Sequence, residues 1–208
     1  MIKTLDEENL IAVCEELSKN DSDLAFIFRT FGEPPMWKRE ANFATLVLII
    51  LEQQVSVASA KACFDKLCKK NETVSPADFL KLNDAKLKSI GFSRQKISYV
   101  RGLAQAILEG KLDLTALETL PDDTVKHELK KLKGIGDWTS DIYLLMALQR
   151  LDVMPKGDLA LHVAWQKLKN LEHRPNSEEF IKLAEKWKPL RAVAARLLWH
   201  FYLSAKQI

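Results

Sequence analysis

The sequence predicts an all-α fold, and three observations support that prediction. Apolar residues recur at helical intervals through most of the 208 residues, and no segment sustains the period of two that is typical of a strand. Gly and Pro number only seven each, so few positions force a turn. Long helices with short connections are therefore expected, in one compact domain or in two small domains that share a core.

The helices can be followed along the chain by their apolar stripes and end signals. Stripes at 10–17, 43–50 and 60–67 predict the first helices, and Ser75 before Pro76 is typical of a cap followed by a first helical residue. Further helices are expected near 94–109, 122–131, 137–150, 159–170, 177–187 and 191–204. Gly91, Gly110 and Gly134 stand where helices should end.

Charge and cysteine content narrow the class of protein. The net charge of +3 permits a polyanionic partner without requiring one, and the lysines at 126–133 also fit a solvated helix face. Cys14, Cys63 and Cys68 lie in apolar helical stretches, which favours buried thiols in a reducing compartment over disulfides or a metal site.

The N-terminus lacks the apolar run of a signal peptide, and the longest apolar stretch, Leu46 to Leu51, is too short to cross a bilayer. We therefore expect a soluble, intracellular protein without a membrane partner. Its compartment would be the cytoplasm, associated with the nucleoid, in a prokaryote, or the nucleus in a eukaryote.

The segment 132–139 joins two helical patterns through a minimal turn. Gly134 and Gly136 permit positive φ and a close backbone approach, and Ile135 between them should plug into the core. The next helix starts at once, so its N-terminus is suited to binding a phosphate. The alternative is a tight helix connection with glycine caps. The preceding lysines, including Lys133, and the following Trp-Thr-Ser with Thr139 favour phosphate binding.

Four ordered segments carry a family resemblance that spans roughly Phe43 to Tyr202. The residues Leu-Lys-Gly-Ile-Gly-Asp-Trp-Thr-Ser at 132–140 resemble the helix-hairpin-helix of DNA repair glycosylases. The segments at 153–159, 50–58 and 91–96 resemble the same superfamily, in its DNA-3-methyladenine glycosylase II branch. The resemblance implies a monofunctional DNA glycosylase that removes alkylated purines of the 3-methyladenine or 7-methylguanine type from double-stranded DNA during base excision repair.

The resemblance implies that Asp158 is the catalytic residue. By itself an Asp before a helix is a simple N-cap, and the match reverses that interpretation. Cleavage of an N-glycosidic bond builds positive charge on the sugar, and a fixed carboxylate stabilises that charge. A cationic methylated purine leaves easily, so one carboxylate suffices.

The resemblance also implies a pocket for the extruded base and a wedge, which is a residue that enters the duplex in place of that base. Trp138 and Trp199 match aromatic positions that would hold a cationic base, although Trp199 also fits a core role. The branch often has a tyrosine one turn after the first tryptophan, and Ile142 stands there with Tyr143 adjacent, which leaves substrate choice open. Gln53 and Gln54 match the loop that enters the duplex, and Gln54 is the expected wedge.

Trp138 occupies the position at which bifunctional relatives have a Schiff-base lysine, so base removal alone is expected. The region from 152 onward has no cysteine, so neither an iron–sulfur cluster, zinc nor any other cofactor is expected.

We expect a monomer with two interlocked helical subdomains, 41–151 and 1–40 with 152–208, and an active-site cleft between them. The alternatives are a glycosylase for another damaged base and a non-catalytic helix-hairpin-helix DNA-binding protein.

Overall fold

The computed structural model describes residues 4–69 and 74–205. The predicted all-α fold is confirmed, because these residues form thirteen α-helices and one 3-10 helix with no strand. The α-helices are α1 Leu10–Asn20, α2 Ser22–Phe31, α3 Phe43–Glu52, α4 Val57–Cys68, α5 Pro76–Lys81, α6 Asp84–Ile90, α7 Arg94–Leu108, α8 Leu114–Leu117, α9 Asp122–Lys130, α10 Asp137–Met146, α11 Leu159–Leu168, α12 Ser177–Ala184 and α13 Arg191–Ser204. The 3-10 helix, Glu185–Trp187, follows α12. Among the described helices, none has both the length and the apolar character of a membrane-spanning helix.

Short polar residues set the starts of α3 to α8. In each case the side chain before the helix accepts a hydrogen bond from a backbone N–H in the first turn, and these caps are Asn42, Ser56, Ser75, Asn83, Ser93 and Asp113. Each cap of this kind contributes on the order of 1 kcal/mol to stability. The Ser75–Pro76 start that the sequence predicts is confirmed.

The described residues divide into two compact units. One unit is Arg39–Tyr143, and it contains α3 to α9 with most of α10. Seven of the ten residues of α3 are buried, and α3 packs against α4 and α7 while α5 also packs against α7. The core of this unit therefore lies around α3 and α7.

The other unit contains the described parts of Met1–Lys38 and Leu144–Ile208. Its central element is α13, whose residues Ala192 to Trp199 are all buried. Such a helix is covered on every side, and α13 packs against α11, α2 and α1. The functional subdomains predicted from the sequence, 41–151 and 1–40 with 152–208, stay a prediction, as does the cleft.

Two helices, α10 and α12, end well before the residues expected from the sequence. α10 ends at residue 146 and not near 150, because Gln149 adopts φ +53° and the Arg150 N–H donates back to the Leu144 carbonyl oxygen at 3.0 Å. This turn takes the chain out of the helix. α12 ends at Ala184, and the predicted last turn tightens into the 3-10 helix.

Two of the three cysteines are buried. Cys14 and Cys63 are buried, and burial raises the pKa of the Cys14 thiol to about 12, so it remains neutral and apolar at physiological pH. The expectation that Cys68 is also buried is wrong, because Cys68 is exposed at the last residue of α4.

Candidate active site and nucleic-acid interface

The predicted hairpin joins α9 to α10 through residues 131–136. Gly134 has φ +93°, in the left-handed region that residues with a side chain rarely adopt. Ile135 is only 5% exposed, and its N–H donates to the Leu132 carbonyl oxygen at 3.1 Å. The turn is therefore anchored from inside by Ile135, as the sequence predicts.

The solvent side of the hairpin is different in character. Lys133 and Gly136 are exposed, and α10 begins at Asp137 directly after the second glycine. The Gly136 carbonyl oxygen accepts the Ser140 N–H at 3.0 Å, which is the first hydrogen bond of the helix. A helix N-terminus carries partial positive charge, so an exposed lysine, an open glycine and this N-terminus together favour an anion. The Asp137 carboxylate is paired with Lys130.

Gln53 directs its side chain toward the hairpin. Its Nε2 donates to the Gly134 carbonyl oxygen at 2.8 Å and to Thr139 Oγ1 at 2.9 Å. Thr139 is only 2% exposed. The structure thus brings together three residues that the sequence assigns separately to DNA binding, and it uses the Gln53 amide within the protein. Contact of the Gln53, Thr139 or Ile135 side chains with DNA stays a prediction.

Gln54, unlike the adjacent Gln53, is exposed. It has φ +57°, which is unfavourable for a residue with a side chain and persists only where neighbouring contacts impose it. Val55 beside it is 46% exposed, and Ser56 caps α4 immediately afterwards. The loop between α3 and α4 therefore presents an amide and an apolar side chain to solvent.

Asp158 lies at the N-terminus of α11. Its Oδ1 accepts the Leu161 N–H at 3.1 Å, so it is the N-cap, and it also accepts the Trp199 indole N–H at 3.1 Å. Gly157, with φ +81°, makes the turn before it. The residue is 8% exposed. Two donors on one oxygen, one from α11 and one from α13, fix the orientation of this carboxylate.

Trp199 has an aromatic neighbour, Trp37. The ring of Trp37 meets the ring of Trp199 edge-on, with centroids 5.9 Å apart and an angle of 87°. Trp37 itself has φ +46° and is half-buried. Asp158, Trp199 and Trp37 therefore form one contiguous cluster.

Arg196 is a supporting residue that sequence reasoning missed. It is fully buried on α13, and its guanidinium donates to the carbonyl oxygens of Met36, Ala192 and Leu145 and to Gln149 Oε1, at 2.9 to 3.2 Å. The bond to Met36 anchors the chain directly before Trp37. A lone arginine within the apolar run Ala192–Trp199 is the signal that could have found it.

Trp138 is the second residue of α10 and is half-buried. Ile142, at the position where the branch often has a tyrosine, is buried, and so is the adjacent Tyr143. Burial raises the pKa of the Tyr143 hydroxyl, whose oxygen has no hydrogen-bond partner among the described residues. Among residues 4–69 and 74–205 there is no group of three His, Cys, Asp or Glu side chains arranged to hold a metal ion.

Comparisons with known proteins identify a family and several relatives. The family described as HhH-GPD superfamily base excision DNA repair protein matches residues 47–189. The alkylbase DNA glycosidase-like protein mag2 of Schizosaccharomyces pombe is 28% identical over 164 residues, which cover 76% of this chain and 77% of that protein.

Two solved structures are similar over almost the whole chain. The 3-methyladenine DNA glycosylase Mag1 of Schizosaccharomyces pombe, in complex with abasic DNA, has a TM-score of 0.86 at 25% identity and covers 94% of this chain and 97% of its own. A DNA-3-methyladenine glycosidase from Bacillus halodurans has a TM-score of 0.78 at 27% identity, with coverage of 100% and 94%.

Proposed function

The chain belongs to the HhH-GPD superfamily of base excision DNA repair proteins, and from this premise we propose that it hydrolyses the N-glycosidic bond of alkylated purines in DNA. It is an enzyme, a hydrolase of the DNA-3-methyladenine glycosylase type, as its relatives are. The observation that carries the catalytic assignment is that the segment after the hairpin, which resembles the family, places the Asp158 carboxylate at the start of α11, where two N–H donors hold it.

The reaction requires charge stabilisation more than proton transfer to the base. As the bond between C1′ and the purine nitrogen breaks, its electron pair leaves with the base, and the sugar becomes cationic. A carboxylate fixed beside C1′ stabilises this state more than the ground state. Water then supplies the new C1′–oxygen bond and loses one proton, for which the same carboxylate is the acceptor.

The fixed orientation of Asp158 is what makes this assignment chemically sound. A freely rotating carboxylate would have to be ordered during the reaction, whereas a carboxylate already bonded to the Leu161 N–H and the Trp199 indole is ordered beforehand. Electrostatic stabilisation of this kind is effective because the groups do not have to reorganise.

We assign the base pocket to the tryptophans Trp138 and Trp199. A methylated purine with a positive charge is attracted to the face of an indole ring. Trp138 also stands where bifunctional relatives have a lysine, so no amine is present at this position to attack C1′. The expected products are a free base and an abasic site.

The proposed macromolecular partner is double-stranded DNA that contains damaged bases, bound by a monomer. The exposed Lys133 and Gly136 and the N-terminus of α10 support phosphate binding, and the exposed Gln54 supports the wedge role. An amide can both fill the space of an extruded nucleotide and hydrogen-bond the base left opposite. Location in the cytoplasm of a prokaryote or the nucleus of a eukaryote follows from the substrate and belongs to the same proposal.

The test is Asp158→Asn, with Asp21→Asn as the matched control. Asp21 is also an N-cap that is 8% exposed, and it also accepts a tryptophan N–H, from Trp187 at 2.8 Å. Both substitutions keep the shape of the side chain. Asp158→Asn should retain DNA binding and lose base release by several orders of magnitude, while Asp21→Asn should retain release. Unchanged release by Asp158→Asn would refute the catalytic assignment.

The lesion class is tested separately by incubating the protein with methylated genomic DNA and identifying the released bases by mass spectrometry. Release of 3-methyladenine and 7-methylguanine is expected. Release of uncharged lesions alone would contradict the cation-pocket argument and favour a glycosylase for another damaged base.

A further inference from the structure

The segment Gly91–Lys96 carries part of the family resemblance, yet the proposed chemistry does not use it. In the structure, Ser93 caps α7, and Lys96 lies in its first turn. The Lys96 ammonium donates to the carbonyl oxygens of Leu51 at 2.7 Å and Gln53 at 2.9 Å. These contacts span more than forty residues of sequence and reach the chain directly before Gln54.

Lys96 acts on the C-terminal end of α3. The last carbonyl oxygens of a helix have no N–H donor within the helix and carry partial negative charge. The Lys96 ammonium binds the carbonyl oxygen of Leu51, in the last turn of α3, and that of Gln53, the residue after the helix. It thereby compensates the charge at this helix end and fixes the path of the chain through Leu51 and Gln53. The next residue, Gln54, has the left-handed conformation and follows directly after this bound segment.

A second contact holds the same loop from the side of the hairpin. The Gln53 amide reaches the Gly134 carbonyl oxygen and Thr139 Oγ1. The residue before Gln54 is therefore bound twice, through its backbone oxygen by Lys96 and through its side chain by the hairpin.

The same face of α7 also reaches the hairpin. Tyr99, three residues after Lys96, packs under Gly134 so closely that a Cβ on this glycine would lie 2.7 Å from Tyr99 Cδ1. Residues three apart on a helix share a face. α7 thus supports the wedge loop with one side chain and the phosphate-binding turn with the next.

We infer that Lys96 and Gln53 are positioning residues that fix the wedge residue Gln54 relative to the Gly134–Gly136 turn. The inference rests on the proposed function and deepens it. Extrusion of a nucleotide requires unstacking of the duplex. A wedge that is rigidly linked to the turn that binds the strand enters the stack at a defined position, whereas a loose loop would yield to the stacked bases.

The test uses the full-length protein and a duplex with 2-aminopurine next to an abasic-site analogue, whose fluorescence rises when the neighbouring stack opens. Lys96→Met keeps the length of the side chain and removes its donors. We expect the fluorescence change to need about 10- to 100-fold more protein, the factor that corresponds to loss of a charged hydrogen bond. Binding to undamaged duplex should change by less than about threefold, because the hairpin is intact.

The controls separate positioning from folding. Lys111→Met removes an exposed lysine that pairs only with Glu109 among the contacts described. The fluorescence change of this variant should need the same protein concentration as that of the wild type. Lys96→Arg retains a charge and donors and should restore much of the signal. Gln53→Leu should reproduce the Lys96→Met defect, and it carries the test if Lys96→Met fails to fold.

The outcomes that overturn the inference are distinct from failure of the proposed function. A folded Lys96→Met protein that opens the stack as the wild type does would refute it, as would equal loss of binding to damaged and undamaged duplex. Because the abasic analogue needs no base release, a wild type that opens this duplex but releases no base would contradict the proposed function while leaving the positioning role in place.

Discussion

Gly134→Ala should be the most damaging single-methyl change in the hairpin. The alanine Cβ would lie 2.7 Å from Tyr99 Cδ1 and nearer still to two other ring carbons, which real side chains do not tolerate. Residue 134 also has φ +93°, where any side chain is strained. Gly136, two residues further, offers the matched control, since a Cβ there would meet nothing within 4 Å.

The magnitude has two parts. A left-handed conformation costs a residue with a Cβ roughly 1–2 kcal/mol, and overpacking typically costs a further 1–3 kcal/mol. Gly134→Ala should therefore lower the free energy of unfolding by about 2–5 kcal/mol, and Tm by about 4–20 °C at this chain length. Gly136→Ala should change the free energy of unfolding by less than about 1 kcal/mol.

The assay is thermal unfolding followed by circular dichroism, with DNA affinity measured by fluorescence anisotropy on an abasic-analogue duplex. Gly134→Ala should lose affinity even when folded, because relief of the clash moves Tyr99 or the turn. A double variant with Tyr99→Ala should regain part of the lost stability. A Gly134→Ala protein with the Tm of Gly136→Ala and the DNA affinity of the wild type would show that the close packing of Gly134 on Tyr99 has no energetic consequence.

Two further predictions concern side chains near Asp158. Trp199→Phe keeps an aromatic ring and removes one N–H donor to the Asp158 carboxylate, so base release should fall about 10- to 100-fold. Trp187→Phe removes the matching donor to Asp21 and is the control, and base release by Trp199→Phe equal to that of the control would contradict the role of the indole N–H in orienting Asp158. Burial lowers the pKa of His162 and outweighs the attraction of the Asp158 carboxylate, which raises it. His162 therefore binds a proton less readily in the folded protein than in the unfolded chain, and the folded protein loses stability as pH falls below the usual histidine pKa of 6.5. His162→Leu should therefore show a smaller fall in Tm between pH 7.5 and 5.5 than the wild type and His173→Gln, and an equal fall in all three would refute this explanation.

Local features of the site could be read from the sequence because they depend on neighbouring residues only. Gly134 adopts positive φ and Ile135 is buried in the short connection between α9 and α10. Asp158 caps α11 because the helix starts one residue later. In each case the residue type and the spacing determine the local structure without knowledge of the rest of the chain.

The contacts that assemble the interface could not be predicted in this way. Gln53 and Gln54 are identical in type and adjacent, yet one is bound to the hairpin and the other is exposed. Lys96 finds its carbonyl partners 43 and 45 residues away. Nothing in the local pattern distinguishes such a lysine from a solvated one, because the partners are backbone oxygens whose exposure depends on where α3 ends.

A comparison of Asp21 with Asp158 shows that local geometry alone does not identify the catalytic aspartate. Each caps a helix and each accepts a tryptophan N–H, so hydrogen bonding and burial do not distinguish them. Asp21 is in addition 2.7 Å from the Lys186 ammonium; although burial raises its pKa, hydrogen bonds from Lys186 and Trp187 hold that pKa below its usual value. The assignment of catalysis to Asp158 therefore depends on its position after the hairpin, in the segment that resembles the family, and the two asparagine variants test that dependence directly.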